Sequence, residues 1–220
     1  LQTNYGLNRL NNKKKQVDYF PYFSGQIMLR KDKDNTLFVL RDDKYVYYHN
    51  RETDKFNKIH LPELDIKNTL NFIIDSNNTL WIFQTNGEIK TYSIIKSRQN
   101  IELSLLNTYH HNEKLLFCYY ENDIVYYIDN TYTLFEYNLM QDKKDYIFNL
   151  QGMISKRGEV SSIIKHQDDY YIGFKTNGLI VLRNISDTKE KFLLEEVDIQ
   201  SGIFCLLKDK HQDIIWVGTD

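Results

Sequence analysis

Hydrophobic residues of this chain fall into short runs separated by polar turn residues, and the pattern repeats about every 43 residues. The clearest copy predicts four strands, at about 70–75, 80–85, 88–94 and 100–106. Asn86-Gly87 separates the second and third of these strands and indicates a tight hairpin turn with φ > 0 at both central residues. Four short strands in a repeat of roughly 40–50 residues are typical of one β-propeller blade.

Each copy of the repeat can be located by the residue that closes its second strand. Successive closing residues are 38 to 46 positions apart, and they are Thr3, Arg41, Thr85, Asn130, Thr176 and Thr219. An apolar or aromatic residue follows four positions later in the complete copies: Leu7, Tyr45, Ile89, Leu134 and Ile180. A solenoid of strands and helices would need helical periodicity, which the copies lack. We therefore predict an all-β fold, a β-propeller of four-stranded antiparallel blades.

The repeats predict a single propeller segment over residues 1–220, with about five blades' worth of strands. The complete copies span approximately 26–61, 70–106, 114–150 and 160–197, and partial copies occupy 1–22 and 203–220. The segment is either an arc of a larger propeller or a closed five-bladed ring in which strands from the two partial copies pair. We favour the arc, because a natural chain would not begin inside a hairpin.

Composition supports strands over helices. The chain has no alanine, and it contains 17 Tyr and 12 Phe among its 220 residues. Its formal net charge of −2 argues against bulk electrostatic binding of nucleic acid. No apolar stretch approaches the length of a membrane span, so we expect no membrane contact by this segment. Cys118 and Cys205 both stand in apolar runs, and we predict that both are buried and inert.

The pattern apolar-x-x-Asp-x-x-x-x-Leu-Trp-Ile-Gly-Thr-x-x-Gly-Leu-x-x-Tyr resembles the repeat of two-component regulator propellers. It is carried best by LLKDKHQDIIWVGTD at Leu206–Asp220, by FIIDSNNTLWIFQTNGEIKTY at Phe72–Tyr92, and by TNYGLNRL at Thr3–Leu10. Weaker copies lie at Met28–Tyr48 and Ile163–Leu182, and the copy at Leu116–Tyr137 lacks the Trp, Gly and Thr. The resemblance covers essentially the whole chain.

This resemblance implies the periplasmic sensor region of a Bacteroidetes hybrid two-component sensor histidine kinase, often tuned to glycan fragments. The parent would be anchored in the inner membrane, and its downstream kinase would receive the signal. The expected partners are an oligosaccharide and neighbouring domains of the same chain, with no nucleic acid bound by this segment. A homodimeric parent is an option that we leave open.

Trp81 and Trp216 occupy the same repeat position, and we assign both to the core between blades rather than to sugar stacking. Acidic residues at the ends of first strands, Asp32, Asp75 and Asp209 with Glu121, invite comparison with a glycosidase, which needs two carboxylates across one sugar. Because these acids recur once per blade, we predict instead that they cap the following turns.

The remaining candidate residues and motifs point to no catalytic or metal-binding site. The six histidines lack metal-ligand spacing, as do the two cysteines, and they are His49, His60, His110, His111, His166 and His211. There is no glycine-rich phosphate loop and no nucleophile elbow. We therefore expect no catalytic residues, no cofactor and no metal site. Tyr109, Tyr119 and Tyr120 could line a glycan or protein surface or pack between blades, so the ligand-binding residues stay unassigned.

The sequence favours a non-catalytic sensor segment that recognises a signal such as a glycan fragment. Two alternatives from other classes remain open: a propeller enzyme that acts on glycans as a hydrolase or lyase, and a rigid scaffold for protein interactions. An enzyme would need acids, His or Arg that break the repeat by appearing in one blade alone, and no convergent set is visible.

Overall fold

The structure is a computed structural model, and it describes residues 2–3, 6–11, 15–20, 23, 27–41, 44–62, 66–98, 100–185, 191–209 and 211–219. The chain divides into two compact units, Leu1–His111 and Asn112–Asp220. Each unit consists of antiparallel sheets in which strands pair with their neighbours in chain order. The predicted all-β fold of four-stranded propeller blades is confirmed.

The first unit holds one three-stranded and two four-stranded sheets. The three-stranded sheet contains β1 (Gln2–Thr3), β2 (Gly6–Asn11) and β3 (Gln16–Phe20). The next contains β4 (Ile27–Lys31), β5 (Leu37–Arg41), β6 (Tyr45–Asn50) and β7 (Lys55–His60). After a short 3-10 turn at Ile66–Asn68 follow β8 (Thr69–Ile74), β9 (Thr79–Gln84), β10 (Glu88–Lys96) and β11 (Ile101–His110). The last two strands extend further than their sequence predicts.

The second unit holds two four-stranded sheets and one two-stranded sheet. The first contains β12 (Leu115–Glu121), β13 (Ile124–Asp129), β14 (Thr133–Asn138) and β15 (Lys143–Asn149). Helix α1 (Gln151–Arg157) leads into β16 (Val160–His166), β17 (Asp169–Phe174), β18 (Leu179–Asn184) and β19 (Phe192–Val197). The two-stranded sheet contains β20 (Ile203–Lys208) and β21 (Ile215–Thr219).

Both faces of the inner strands are buried, which explains the nearly continuous apolar runs in the sequence. In the first unit, side chains that alternate along β5, β6, β8 and β9 share one core: Phe38, Leu40, Val46, Tyr48, Phe72, Ile74, Leu80 and Ile82. In the second unit, β13, β16 and β17 contribute Tyr126, Ile128, Ile163, Tyr170, Ile172 and Phe174 to the equivalent core. The repeat therefore buries one apolar layer between successive sheets.

The prediction for the Asn86-Gly87 turn is wrong in its geometry. Asn86 does not have a positive φ, whereas Gly87 lies at 87° and donates its N–H to Gln84 O at 3.1 Å. The loop between β9 and β10 holds three residues, so only its last residue needs the left-handed region. A two-residue turn with positive φ at both positions occurs instead at Asn122 (50°) and Asp123 (61°), between β12 and β13.

Two further expectations are wrong. Cys118 is buried as predicted, but Cys205 is exposed. Trp81 is 7% exposed and belongs to the core, whereas Trp216, at the same repeat position, is 57% exposed. Both exposed residues lie in the sheet of β20 and β21, which has two strands in the described part of the chain, whereas Trp81 lies in a sheet of four.

Candidate functional site

A cavity of about 540 Å³ lies in the second unit, at one edge of the sheet of β16–β19. In an antiparallel sheet, the end of the second strand, the start of the third and the end of the fourth lie at the same end of the sheet. The register agrees, since Gly173 lies opposite Leu179, and Leu179 lies opposite Val197. The cavity is lined by Arg157, Thr176, Asn177, Glu196, Val197, Asp198, Ile199 and Gln200.

Arg157, the last residue of helix α1, lies in the lining of this cavity. The helix ends at Arg157 and is capped by Gly158, which has a φ of 82° and donates its N–H to Ile154 O at 2.9 Å. A side chain at Gly158 would bring its Cβ to 2.5 Å from Thr176 Oγ1. Glycine is therefore required here both by the backbone conformation and by the close approach of the loop between β17 and β18.

Gly178 joins the same loop to the connection between β19 and β20. Its φ is 74°, and its N–H donates to Ser201 O at 2.9 Å. A Cβ at this position would lie 2.7 Å from Arg157 Nη1 and 2.8 Å from Ile199 O. Two glycines thus allow three separate segments to converge, and this convergence forms the cavity.

The Arg157 side chain lines the cavity and links two of the segments that form it. Its side chain is only 11% exposed, its Nη1 donates to Asn177 O at 3.0 Å, and its Nη2 pairs with the Glu196 carboxylate. A planar guanidinium can hold two acceptors at a fixed angle, so it links the loop of Asn177 to strand β19. The charge of Glu196 is consequently compensated within the site.

The other polar side chains of the lining keep their hydrogen-bonding capacity. Within the described part of the chain, no group hydrogen bonds to the side-chain amides of Asn177 and Gln200 or to the carboxylate of Asp198. Together they offer both donors and acceptors, beside the apolar side chains of Val197 and Ile199. A volume of about 540 Å³ falls within the roughly 300–1,000 Å³ of small-molecule sites.

A smaller cavity of about 190 Å³ in the first unit has fewer such groups. Lys96 is paired with Asp32 at 2.6 Å and with Asp34 at 2.5 Å. The Tyr48 hydroxyl donates to Asn100 Oδ1 at 2.6 Å and accepts from the N–H of Ile101 at 3.1 Å. Because these polar groups are already satisfied by the protein, the larger cavity is the better candidate for a ligand.

The recurring aspartates cap turns, as their sequence positions predict. Asp32 Oδ1 accepts from the N–H of Thr36 at 2.8 Å, and Asp75 Oδ1 accepts from that of Thr79 at 2.8 Å. Asp209 Oδ1 accepts from the N–H of His211 at 2.8 Å. Glu121 differs, because it pairs with Lys208 Nζ at 3.1 Å, so its predicted capping role is wrong. None of these four acids lines the large cavity.

The aspartates also hold the tryptophans. Asp75 Oδ2 accepts from Trp81 Nε1 at 2.8 Å, and Asp209 Oδ2 accepts from Trp216 Nε1 at 3.1 Å. The pKa of Asp209 is lowered from its usual value by the backbone N–H of His211 and by the indole N–H of Trp216. The same carboxylate thus caps a turn and orients an aromatic ring in both copies, which is a structural duty.

The tyrosines singled out in the sequence have different surroundings. Tyr109 is 38% exposed and stacks on Trp81, with ring centroids 6.0 Å apart and planes inclined by 10°. Tyr119 packs against the core of the second unit, and the Tyr120 hydroxyl donates to Asp123 Oδ1 at 2.9 Å. None of the three lines the large cavity.

The sequence patterns did not identify the lining of this cavity. Asn177-Gly178 matches Asn86-Gly87 in the sequence and predicts a turn, and Thr176 only marks the repeat. The available signal was the unrepeated Gly158 after a polar segment, next to Arg157. In the described ranges, no three His, Cys, Asp or Glu side chains group as metal ligands, and no helix is long and apolar enough to cross a membrane.

Comparison with known proteins gives structural likeness without sequence likeness. No protein-family profile matches the chain, and no curated protein matches it. The extracellular domain of a candidate hybrid two-component system from B. thetaiotaomicron is similar over 98% of this chain and 30% of its own, with a TM-score of 0.61 and 15% identity. That of a candidate one-component system from the same organism is similar over 98% and 37%, with a TM-score of 0.53 and 14% identity.

A computationally designed protein, Ika8, is also similar, over 98% of this chain and 63% of its own, with a TM-score of 0.64 and 13% identity. The chain therefore spans less than two thirds of the solved structures that it matches. At these identities the likeness concerns the fold alone. The resemblance to two-component regulator propellers is confirmed at that level, because extracellular domains of such systems share these sheets.

Proposed function

We propose that this segment is a non-catalytic sensor domain that binds an oligosaccharide in the cavity beside α1. The observation that carries the proposal is that three exposed polar side chains with no partner in the described part of the chain, those of Asn177, Asp198 and Gln200, line one cavity of about 540 Å³. Sugar hydroxyl groups both donate and accept, so they match a lining that mixes amides with a carboxylate. The apolar atoms of Val197 and Ile199 suit the CH faces of a sugar ring.

Binding would be transmitted by a change in how helix α1, the loop after β17 and the connection after β19 contact one another. Arg157 connects helix α1 to Asn177 and to Glu196, and Gly178 N–H connects the same loop to Ser201 O. A ligand that bridges Asn177 and Gln200 would stabilise one arrangement of these segments over another. Such a difference in affinity is the requirement for shifting a population of conformations.

The proposed setting is that of the sequence resemblance. The segment would lie in the periplasm, in a parent anchored in the inner membrane, and it would pass the signal through a neighbouring domain to a histidine kinase. Support comes from the fold shared with extracellular domains of B. thetaiotaomicron candidate systems. The ligand would come from the surroundings of the cell, as a fragment of a larger glycan.

Isothermal titration of the purified chain with a panel of neutral oligosaccharides tests this proposal. We expect at least one ligand, whose affinity falls about tenfold on Asp198→Ala and on Gln200→Ala, as for loss of one hydrogen bond to the ligand. Gln212→Ala is the matched control, because Gln212 is an exposed amide on the turn between β20 and β21. Equal weakening by Gln212→Ala, or no binding by any oligosaccharide, would contradict the proposal.

A glycan-active enzyme is the second candidate, favoured by one observation. Glu196 and Asp198 both line the cavity, and neither belongs to the set of recurring acids. The pairing of Glu196 with Arg157 opposes this function, since a carboxylate already bound to a guanidinium is not directed at a substrate. Turnover of the oligosaccharide panel that disappears on Asp198→Asn would favour the enzyme, and absence of turnover with retained binding favours the sensor.

A further inference from the structure

The cavity beside α1 contains a cation whose charge is already compensated. Arg157 Nη2 pairs with the Glu196 carboxylate, and the Arg157 side chain is only 11% exposed. Its Nη1 also donates to Asn177 O at 3.0 Å. Lys175, directly before the lining residues of the same loop, pairs through Nζ with Glu159 Oε2 at 2.6 Å. Both cations are bound to carboxylates of the protein, so an acidic ligand would have to compete for them.

Asp198 adds a charge that no described residue compensates. It is one of three charged residues in the lining, with Arg157 and Glu196, so the lining has one positive and two negative side chains. Within the described ranges, no Lys, Arg or His pairs with the Asp198 carboxylate. Lys156 precedes Arg157 in α1 but is not part of the lining. The lining therefore has a formal charge of −1, which lies on Asp198.

This uncompensated carboxylate determines which charge a ligand should carry. A carboxylate only accepts hydrogen bonds, so it can bind either a hydroxyl or an ammonium group of a ligand. The ammonium group gives the stronger hydrogen bond, because the two partners also attract as opposite charges. A ligand carboxylate would be repelled at the same position, and the Arg157 guanidinium that could attract it is held by Glu196 and by Asn177 O.

We infer that the cavity beside α1 selects its ligand by charge, and that it prefers a sugar with a free, positively charged amino group. The ammonium group would lie against Asp198, and hydroxyl groups of the same ligand would pair with the amides of Asn177 and Gln200. Neutral sugars would bind less tightly, and sugars with a carboxylate less tightly still. This inference rests on the proposed function, because it concerns the ligand of the same cavity.

The expected preference is small, because Asp198 is exposed. Ion pairs at exposed positions typically change a binding constant by about fivefold at most. Salt should weaken the preference, since the Debye length falls from about 30 Å at 0.01 M to about 3 Å at 1 M ionic strength. A neutral sugar with the same ring should show no such dependence on salt.

An NMR titration with three monosaccharides of similar shape tests the inference. Glucosamine, glucose and glucuronate carry a positive, no and a negative charge, and the side-chain amide signals of Asn177 and Gln200 report binding at the cavity. We expect the affinity to fall by about threefold from glucosamine to glucose, and by a similar factor from glucose to glucuronate. The preference for glucosamine should disappear at an ionic strength of about 1 M.

Two matched substitutions locate the effect. Asp198→Asn removes the charge and keeps the shape of the side chain, so the affinities for the three sugars should converge. Asp168→Asn is the control and should preserve the order of affinities, because Asp168 is an exposed carboxylate on the turn between β16 and β17, at the opposite end of the same sheet.

Glucose bound as tightly as glucosamine, or a preference that persists in Asp198→Asn, would overturn the inference and leave the proposed function standing. Absence of any response to the three sugars would also overturn the inference, and the oligosaccharide panel would then decide the proposed function by itself.

Discussion

Replacing Trp81 by alanine should strongly destabilise the first unit. The indole is 7% exposed, stacks on Tyr109 and donates to Asp75 Oδ2 at 2.8 Å. Truncation of a buried Trp or Phe to Ala costs about 3–5 kcal/mol, since it removes apolar contacts and leaves a cavity. Asp75, itself 5% exposed, also loses one of its donors, so we expect a value toward the upper end of that range.

The second tryptophan provides the matched comparison. Trp216 makes the same kind of hydrogen bond, to Asp209 at 3.1 Å, but its side chain is 57% exposed. Water can replace much of what the ring contacts, so Trp216→Ala should cost well under half as much as Trp81→Ala. The two substitutions have the same chemistry and repeat position, but Trp81 is more buried and also stacks on Tyr109.

Urea unfolding followed by far-UV circular dichroism measures both losses as shifts of the transition midpoint. The comparison is valid where the dependence of unfolding free energy on urea concentration is unchanged. A loss at Trp216 as large as that at Trp81 would refute the assignment of Trp216 to an exposed position. It would favour instead the closed five-bladed ring, in which further strands cover that residue.

Three other predictions concern conformation, ionisation and chemistry. Gly178→Ala should lower the midpoint of urea unfolding and weaken ligand binding, because residue 178 has a φ of 74° and a Cβ there would lie 2.8 Å from Ile199 O. Gly152→Ala in α1 is the control: nothing lies within 4 Å of a Cβ at that position, so this substitution should be neutral or stabilising. Burial raises the pKa of Tyr126 and of Tyr170. A titration followed by tyrosinate absorbance should therefore show that these two phenols stay protonated at about pH 11 until the chain unfolds. The free energy of unfolding should fall as the pH rises above about 10, because the unfolded chain releases these protons more easily. Purified chain should hydrolyse no oligosaccharide of the panel, and a rate that disappears on Asp198→Asn would contradict this.

The strands could be predicted from the sequence because the pattern that defines them lies within a few neighbouring residues. Alternating burial and polar turns located β8 and β9 to within one residue of their observed ends. Recurrence of Asp32, Asp75 and Asp209 identified their capping role, since equivalent positions in a repeat share equivalent duties. The resemblance to a propeller repeat followed from these same positions.

The short helix was missed because its sequence carries little helical signal. α1 contains Gly152 and no alanine, and its two apolar residues, Met153 and Ile154, are adjacent rather than spaced at a helical period. Both pack against the core of the second unit, so tertiary contacts stabilise this turn of helix. A propensity argument alone cannot anticipate that contribution.

The cavity could not be predicted because it depends on contacts between distant parts of the chain. Arg157 and Glu196 lie 39 positions apart, and the sequence contains no pattern that links them. The exposure of Trp216 was equally hidden, because its repeat position matches that of the buried Trp81. Recurring positions show what the blades share, whereas Arg157 and Glu196 belong to one blade alone.

Hydrogen–deuterium exchange on adding a pool of neutral oligosaccharides tests the central claim most directly. The account predicts slower exchange confined to the cavity lining and to the hydrogen bond of Gly178 with Ser201 beside it, at residues 176–178 and 198–201, with no change in the Asp198→Ala variant. Residues 97–98 and 100–101 of the smaller cavity serve as the internal reference and should be unaffected. Protection of that reference, or equal protection in Asp198→Ala, would contradict recognition of a glycan at the cavity beside α1.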